Sequence, residues 1–297
     1  MIESWVLFAL AATAFQTVRF MLQKVLATKD LSAGGATFSR FVYSAPVVWI
    51  AALLILPAWP VLGSKFWAFA IAGGLTQILA TVCTVMLFQS RNFAVGITLK
   101  KTEVLLTVVV GIVILGEGVS LPGFAAMVLG VLGVLLLSDP PRVEGRGLRG
   151  LLMNRAVVLG LTSGVFFGIS AVTYRGATLE VSAEPLIRAL VALAFVLAIQ
   201  VASLGLWLLL REPGEITRVA RAWPRAMWIG LTSLGGSICW FTAFTLENAG
   251  YVFAVGQLEV IFSLLASVFF FHEKVTAREG IGIGLIFLSV VVLIAVT

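Results

Sequence analysis

Two glutamates, Glu103 and Glu259, stand inside apolar stretches where a charge is costly unless it faces protein or a water-filled cavity. Each belongs to one copy of a repeated pattern. An asparagine opens the stretch, Asn92 or Asn248, and the glutamate follows 11 residues on. A second glutamate, Glu117 or Glu273, closes it 14 residues later. The copies lie 156 positions apart, with no Asp, Glu, Lys or Arg between the two glutamates of either. Carboxyls so placed can hold an ion pair, meet a substrate ammonium, or load and release a proton. Lys100 precedes Glu103 by three residues on the same helical face, a spacing that keeps the carboxylate ionised. The matching positions before Glu259 are Gly256 and Gln257, so its own helix supplies no cation. Glu259 is therefore the expected proton-coupling carboxyl, and Glu103 mainly shapes a substrate site. The bland reading of both is a structural salt bridge, with Arg19 and Arg175 as partners.

The charge tally extends this. Against the two carboxylates the apolar runs hold Arg19, Lys100, Lys101 and Arg175, with Arg40 and Arg188 nearer helix ends and expected to snorkel outward. Surplus positive charge points to a substrate with an anionic group, and a zwitterion such as an amino acid also fits. Tyr43, Trp49, Tyr174 and Trp240 are candidate cavity wall. Glu117 and Glu273 are expected to satisfy backbone donors at the next helix start. His272 is too isolated for a metal site. Cys83 and Cys239 have no metal-type spacing and read as small buried side chains. No metal, cofactor or nucleophile–base pair is indicated, which leaves a membrane-embedded enzyme or scramblase acting on lipid as a remote alternative.

The elements that must position these residues are helices in a membrane. Of 297 residues, 60% are hydrophobic and 11% charged, against about 25% charged in soluble domains, and the mean hydropathy is +1.10. No hydrophilic block is long enough for a soluble domain. The basic excess lies in short loops, where it sets orientation, and is not a nucleic-acid surface. Ten runs can cross a hydrocarbon layer of about 30 Å: 3–27, 34–58, 64–89, 93–116, 119–137, 153–178, 183–210, 222–246, 249–271 and 277–296. The first lacks a cleavage site and reads as a retained helix. A polar stretch rich in Pro and Gly, 138–152, links a first unit, 1–137, to a second, 153–297. The 156-residue offset also superposes Arg19 on Arg175, Thr76 on Thr232, Cys83 on Cys239 and Phe88 on Phe244. Five spans per half, an odd number, make the halves oppositely oriented, with a site at their interface near the midplane. Basic loops after odd-numbered runs place those loops in the cytoplasm and both termini outside. Gly160, Gly164 and Gly168, and Gly280 with Gly284, are expected to let helices pack closely. Trp5, Trp59, Trp67, Trp207 and Trp223, near run ends, read as interfacial anchors.

The paired segments VVVGIVILGEGVSLPG and LASVFFFHEKVTAREG, each leading into a Gly-containing last run, resemble the EamA-type carriers of the drug/metabolite transporter superfamily. Arg40 and Arg188 resemble the arginine that family often carries early in the second helix of each half. The resemblance implies an all-α integral membrane protein of ten helices in two inverted five-helix repeats around a central cavity. It also implies alternating access, and with the residue reading above the expected protein is a proton-coupled carrier of a small polar metabolite in the inner membrane, monomeric or dimeric. A multidrug or quaternary-amine exporter is the rival. The family commonly has Pro in the middle of helices 4 and 9, where this chain has Glu103-Val104 and Glu259-Val260.

Overall fold

The computed structural model describes residues 3–29, 31–88, 99–137, 154–262 and 276–297. The linker 138–152, Asn92, His272 and Glu273 lie outside them. All regular structure in the described residues is helical: α1 Ser4–Lys29, α2 Ala33–Val42, α3 Ala45–Ile55, α4 Ser64–Phe88, α5 Glu103–Leu115 and α6 Leu121–Leu137. There follow α7 Arg155–Leu179, α8 Pro185–Arg211, α9 Glu215–Arg221, α10 Trp223–Leu246, α11 Ala249–Val255 and α12 Ala277–Val296. Among the described residues seven helices, α2 and α3 counted as one, are long and apolar enough to cross a membrane. Three shorter apolar helices accompany them.

The helices end where local chemistry dictates. Ser32, Asn154 and Asn248 cap α2, α7 and α11, each side-chain oxygen accepting from a backbone N–H of the first turn. Thr276 and Glu279 form a reciprocal capping box on α12. Gly116 (φ 70°) closes α5 and Gly214 (φ 86°) opens α9, in left-handed conformations that side chains resist. Three expected runs are not continuous. The second divides at Tyr43–Ser44, because Pro46 in the first turn of α3 has no N–H for the Val42 carbonyl. The fourth and ninth divide at Lys101–Thr102 and Gly256–Gln257. The short α9, which apolar periodicity does not reveal, fills the connection after Pro213-Gly214.

The molecule is inside-out relative to a soluble protein. Leu54, Val61, Val113 and Leu121 present 77–97% of their surface outward, whereas Arg19, Arg40, Lys100, Lys101, Glu103 and Glu259 are buried. α1 lies along α10, α4 along α7, and α6 along α12. Gly164 and Gly168 do serve close packing. A Cβ at Gly164 would come within 2.9 Å of the Lys100 carbonyl, and one at Gly168 within 3.1 Å of Thr107 Oγ1. The second glycine pair behaves otherwise. Among the described residues nothing lies within 4 Å of a Cβ at Gly280 or Gly284, and it is Gly282 that meets Gly133. Trp5 is also no anchor: it is buried, with Nε1 donating to Glu3. Cys83 and Cys239 are free thiols, half-buried instead of buried.

Candidate functional site

Two of the three interrupted runs break just before the central glutamates, Glu103 and Glu259. Around Lys101–Thr102 the backbone bonds are of the i to i+3 kind, Thr102 N to Leu99 O (3.1 Å) and Val104 N to Lys101 O (3.4 Å). Around Gly256–Gln257 they are Gln257 N to Ala254 O (3.2 Å) and Glu259 N to Gly256 O (3.2 Å). Such tight turns inside a helix are hinge-like, and no proline makes either of them. Gly164 and Gly168 of α7 let the first break approach so closely.

The break on one side delivers the partner of the other. Lys101 Nζ lies 2.5 Å from Glu259 Oε2, and Gln16 Nε2 donates to the same oxygen at 3.0 Å. This corrects the expectation that Glu259 is unpaired. The cation comes from the opposite half, where a search along its own helix cannot find it. Lys100 stands 3.6 Å from Glu103, as the i,i+3 spacing predicts, and its ammonium lies over the rings of Phe20 and Phe167 at 5.1 and 4.6 Å. Glu103 Oε2 is buried without a hydrogen-bond partner among the described residues.

Neither expected arginine joins a central glutamate. Arg19 is buried, donates from NH2 to Gln16 Oε1 at 3.2 Å, and lies over Phe20. Its NH1 has no hydrogen-bond partner among the described residues. Arg175 sits at the end of α7, where Nε donates to Glu117 at 2.6 Å and NH1 to the Phe244 and Glu247 carbonyls at 2.7 Å. Glu117 is thus an ion-pair partner, and Ser120 satisfies the start of α6. Arg40 does not snorkel. It is 4% exposed, with Nε donating to Ser233 (2.7 Å) and NH1 to Thr81 (3.1 Å). Arg188 stays at its helix start, donating to the Ala183 carbonyl.

Beside the ion pair lies a cleft of about 20 Å³, room for a single water. Gln16, Arg40, Gln77 and Tyr174 give it polar walls, and Trp240, Phe244 and Phe253 an aromatic one. Tyr174 donates to Gln77, and Gln200 donates to both of them. Trp240 Nε1 donates to Gln16 Oε1 at 3.2 Å, which ties the aromatic wall to the Glu259 network. Tyr174 and Trp240 thus line the cleft. Tyr43 and Trp49 do not: Tyr43 donates to the Val219 carbonyl, and Trp49 packs against Trp59 and Phe195. Sequence reasoning missed Gln16, Gln77 and Gln200. A glutamine in an apolar run was the available signal, masked by the charges beside it.

The sequence model of the EamA-like transporter family matches residues 3–139 and 154–295. Over 88 residues the chain is 32% identical to the probable 4-amino-4-deoxy-L-arabinose-phosphoundecaprenol flippase subunit ArnE of Pseudomonas aeruginosa (strain UCBPP-PA14). That match covers 29% of this chain and 74% of the relative. A solved crystal structure shares the fold, with a TM-score of 0.74 over 98% of this chain and 96% of its own, at 16% identity.

Proposed function

As the chain belongs to the EamA-like transporter family of the drug/metabolite transporter superfamily, we propose that it is a proton-coupled secondary carrier of the cytoplasmic membrane. Its substrate is a small organic metabolite with an anionic or zwitterionic head. Two inverted five-helix halves rock about the paired helix breaks. Support for the halves comes from the packing. The 156-residue offset carries α1 onto α7 and α4 onto α10, so it exchanges the α1–α10 and α4–α7 contacts and maps α6–α12 onto itself.

One observation carries the substrate class. At the centre, Arg19, Arg40, Lys100 and Lys101 are buried with two carboxylates, and the lysines already occupy both. The two arginines then remain for a substrate anion, Arg40 from the cleft wall and Arg19 through its unpartnered NH1. An anion drawing Arg19 away from Gln16 loosens the Gln16–Glu259 and Gln16–Trp240 bonds, and so opens the cleft. The relative's printed substrate, an amino sugar joined to a phosphate, has the same pairing of amine and anion. Proton coupling passes from Glu259 to Glu103 in this reading, since Glu259 is held by two donors and Glu103 Oε2 by none. The aromatic wall would suit a quaternary amine, but Arg40 in the same cleft opposes a cation.

The test is thermal shift of the purified carrier at two pH values with organic anions, amino acids and quaternary amines, followed by uptake into proteoliposomes. A ligand stabilises in proportion to the logarithm of its concentration over Kd. Stabilisation and uptake of anions or zwitterions are expected. Stabilisation by permanent cations alone overturns the proposal.

A further inference from the structure

Away from the central cleft, residues 211–228 hold Arg211, Arg218, Arg221 and Arg225 against only Glu212 and Glu215. Arg218, Arg221 and Arg225, with Ala222 and Pro224, line a pocket of about 480 Å³ open to the outside. Arg218 is fixed there by Glu215, which is fully buried and 2.5 Å away. Glu215 also accepts from Ser32 N at 2.7 Å, which seats α9 on the start of α2. Trp223 and Trp228, more than half exposed, flank the arginines, as aromatic rings do where headgroups meet hydrocarbon.

A second groove is apolar. It runs between α4 and α8, holds about 390 Å³, and is lined by Leu75, Ile78, Leu79, Val82, Leu204 and Trp207, with Ser203. The start of α2 touches a residue associated with each. A Cβ at Gly34 would touch the Trp207 ring at 3.2 Å, and one at the next residue, Gly35, would collide with the Glu215 carboxylate that holds Arg218. An arginine-lined pocket and a hydrocarbon-lined furrow, both joined to the start of α2, match one kind of molecule: charge for the head, apolar length for the tail.

We propose that pocket and groove form a binding site for an anionic glycerophospholipid, its headgroup phosphate on Arg218, Arg221 and Arg225 and an acyl chain in the α4–α8 groove. Nothing in this assignment depends on the transport reading. Basic pockets between helices at a membrane surface hold anionic headgroups by charge, and here the furrow adds a place for the chain.

The probe is dioleoyl-phosphatidylglycerol bound to the full chain, measured by native mass spectrometry and by melting temperature, with dioleoyl-phosphatidylcholine and inorganic phosphate as separate arms. Phosphatidylglycerol is expected to be retained and stabilising, and phosphatidylcholine not. The Arg221→Gln/Arg225→Gln variant should bind phosphatidylglycerol about thirty-fold more weakly, as two charges near an anionic headgroup are worth that much. Both positions are exposed, so the variant's melting temperature in phosphatidylcholine should stay at the wild-type value. Leu79→Trp, which fills the furrow and leaves the arginines alone, should weaken binding of the two-chain lipid. Equal retention of both lipids, or unchanged binding in the arginine variant, overturns the site. Displacement of the lipid by millimolar inorganic phosphate overturns the lipid assignment in favour of a soluble phosphate. Undiminished binding in Leu79→Trp overturns the role of the groove.

Discussion

Glu259 and Glu103 occupy matching places 156 residues apart, each just after a broken turn, yet their surroundings differ sharply. Glu259 is gripped across the two halves, by Lys101 at 2.5 Å and Gln16 at 3.0 Å. Glu103 keeps its ion pair within its own segment, with Lys100 across the broken turn at 3.6 Å, and one of its oxygens has no hydrogen-bond partner among the described residues. The cause lies at the turns. The first carries two lysines, and the second has Gly256 and Gln257 in their place. One half thus supplies the cations for both carboxylates. The segment around Glu103 is the donor side and the segment around Glu259 the acceptor side. Positions matched by a sequence offset need not have equal roles, because the charge is set by whichever side chain reaches across from the other segment.

The largest expected effect breaks the tight side. Lys101→Met leaves Glu259 as a buried carboxylate without its cation, and breaking a buried pair in this way costs about 3–5 kcal/mol. Denaturant titration of the purified carrier measures it. Restoring most of that loss with the added Glu259→Gln would show that stranded charge, and not lost packing, is the cause. Next, Gly164→Ala forces a methyl against the Lys100 carbonyl, where backbone must move, at about 1–3 kcal/mol. It should also displace Glu103, so transport should fall along with stability.

The loose side is tested by Glu103→Gln. Lys100 keeps the Phe20 and Phe167 rings, so the expected loss is smaller, about 1–2 kcal/mol. Its sharper readout is the pH dependence of uptake, which should flatten in Glu103→Gln and persist in Glu259→Gln. The reverse result would return the proton to Glu259 and dissolve the contrast. Smallest of all is Gly280→Ala, where the new methyl meets nothing within 4 Å among the described residues. Its stability should stay within about 0.5 kcal/mol of the parent, which sets Gly164 apart as the glycine that packs.

The contrast also marks where one-dimensional reading stops. Burial of Glu103 could be read from the uncharged apolar run that follows it, and the Lys100 pairing from the i,i+3 spacing, because both are local. The pairing of Lys101 with Glu259 spans 158 residues, and the burial of Arg40 depends on Ser233 of α10. Nothing near either residue in the chain announces it. The three glutamines of the site are likewise neutral in every composition count and acquire their roles only through the partners they meet.

What the sequence by itself determined is the solvent and the local geometry: apolar runs for a bilayer, caps that start helices, and carboxylates placed where they must be compensated. Apolar length and cap chemistry act over a few residues, so they are written in order along the chain. The tertiary structure alone decided the compensation. It brought a lysine of one half to the glutamate of the other, withdrew Arg175 to Glu117 at a helix end, and turned Gly164 inward. Electrostatic and packing partners are fixed by distance in space, and neighbouring runs of similar apolar character leave that distance undetermined until they pack.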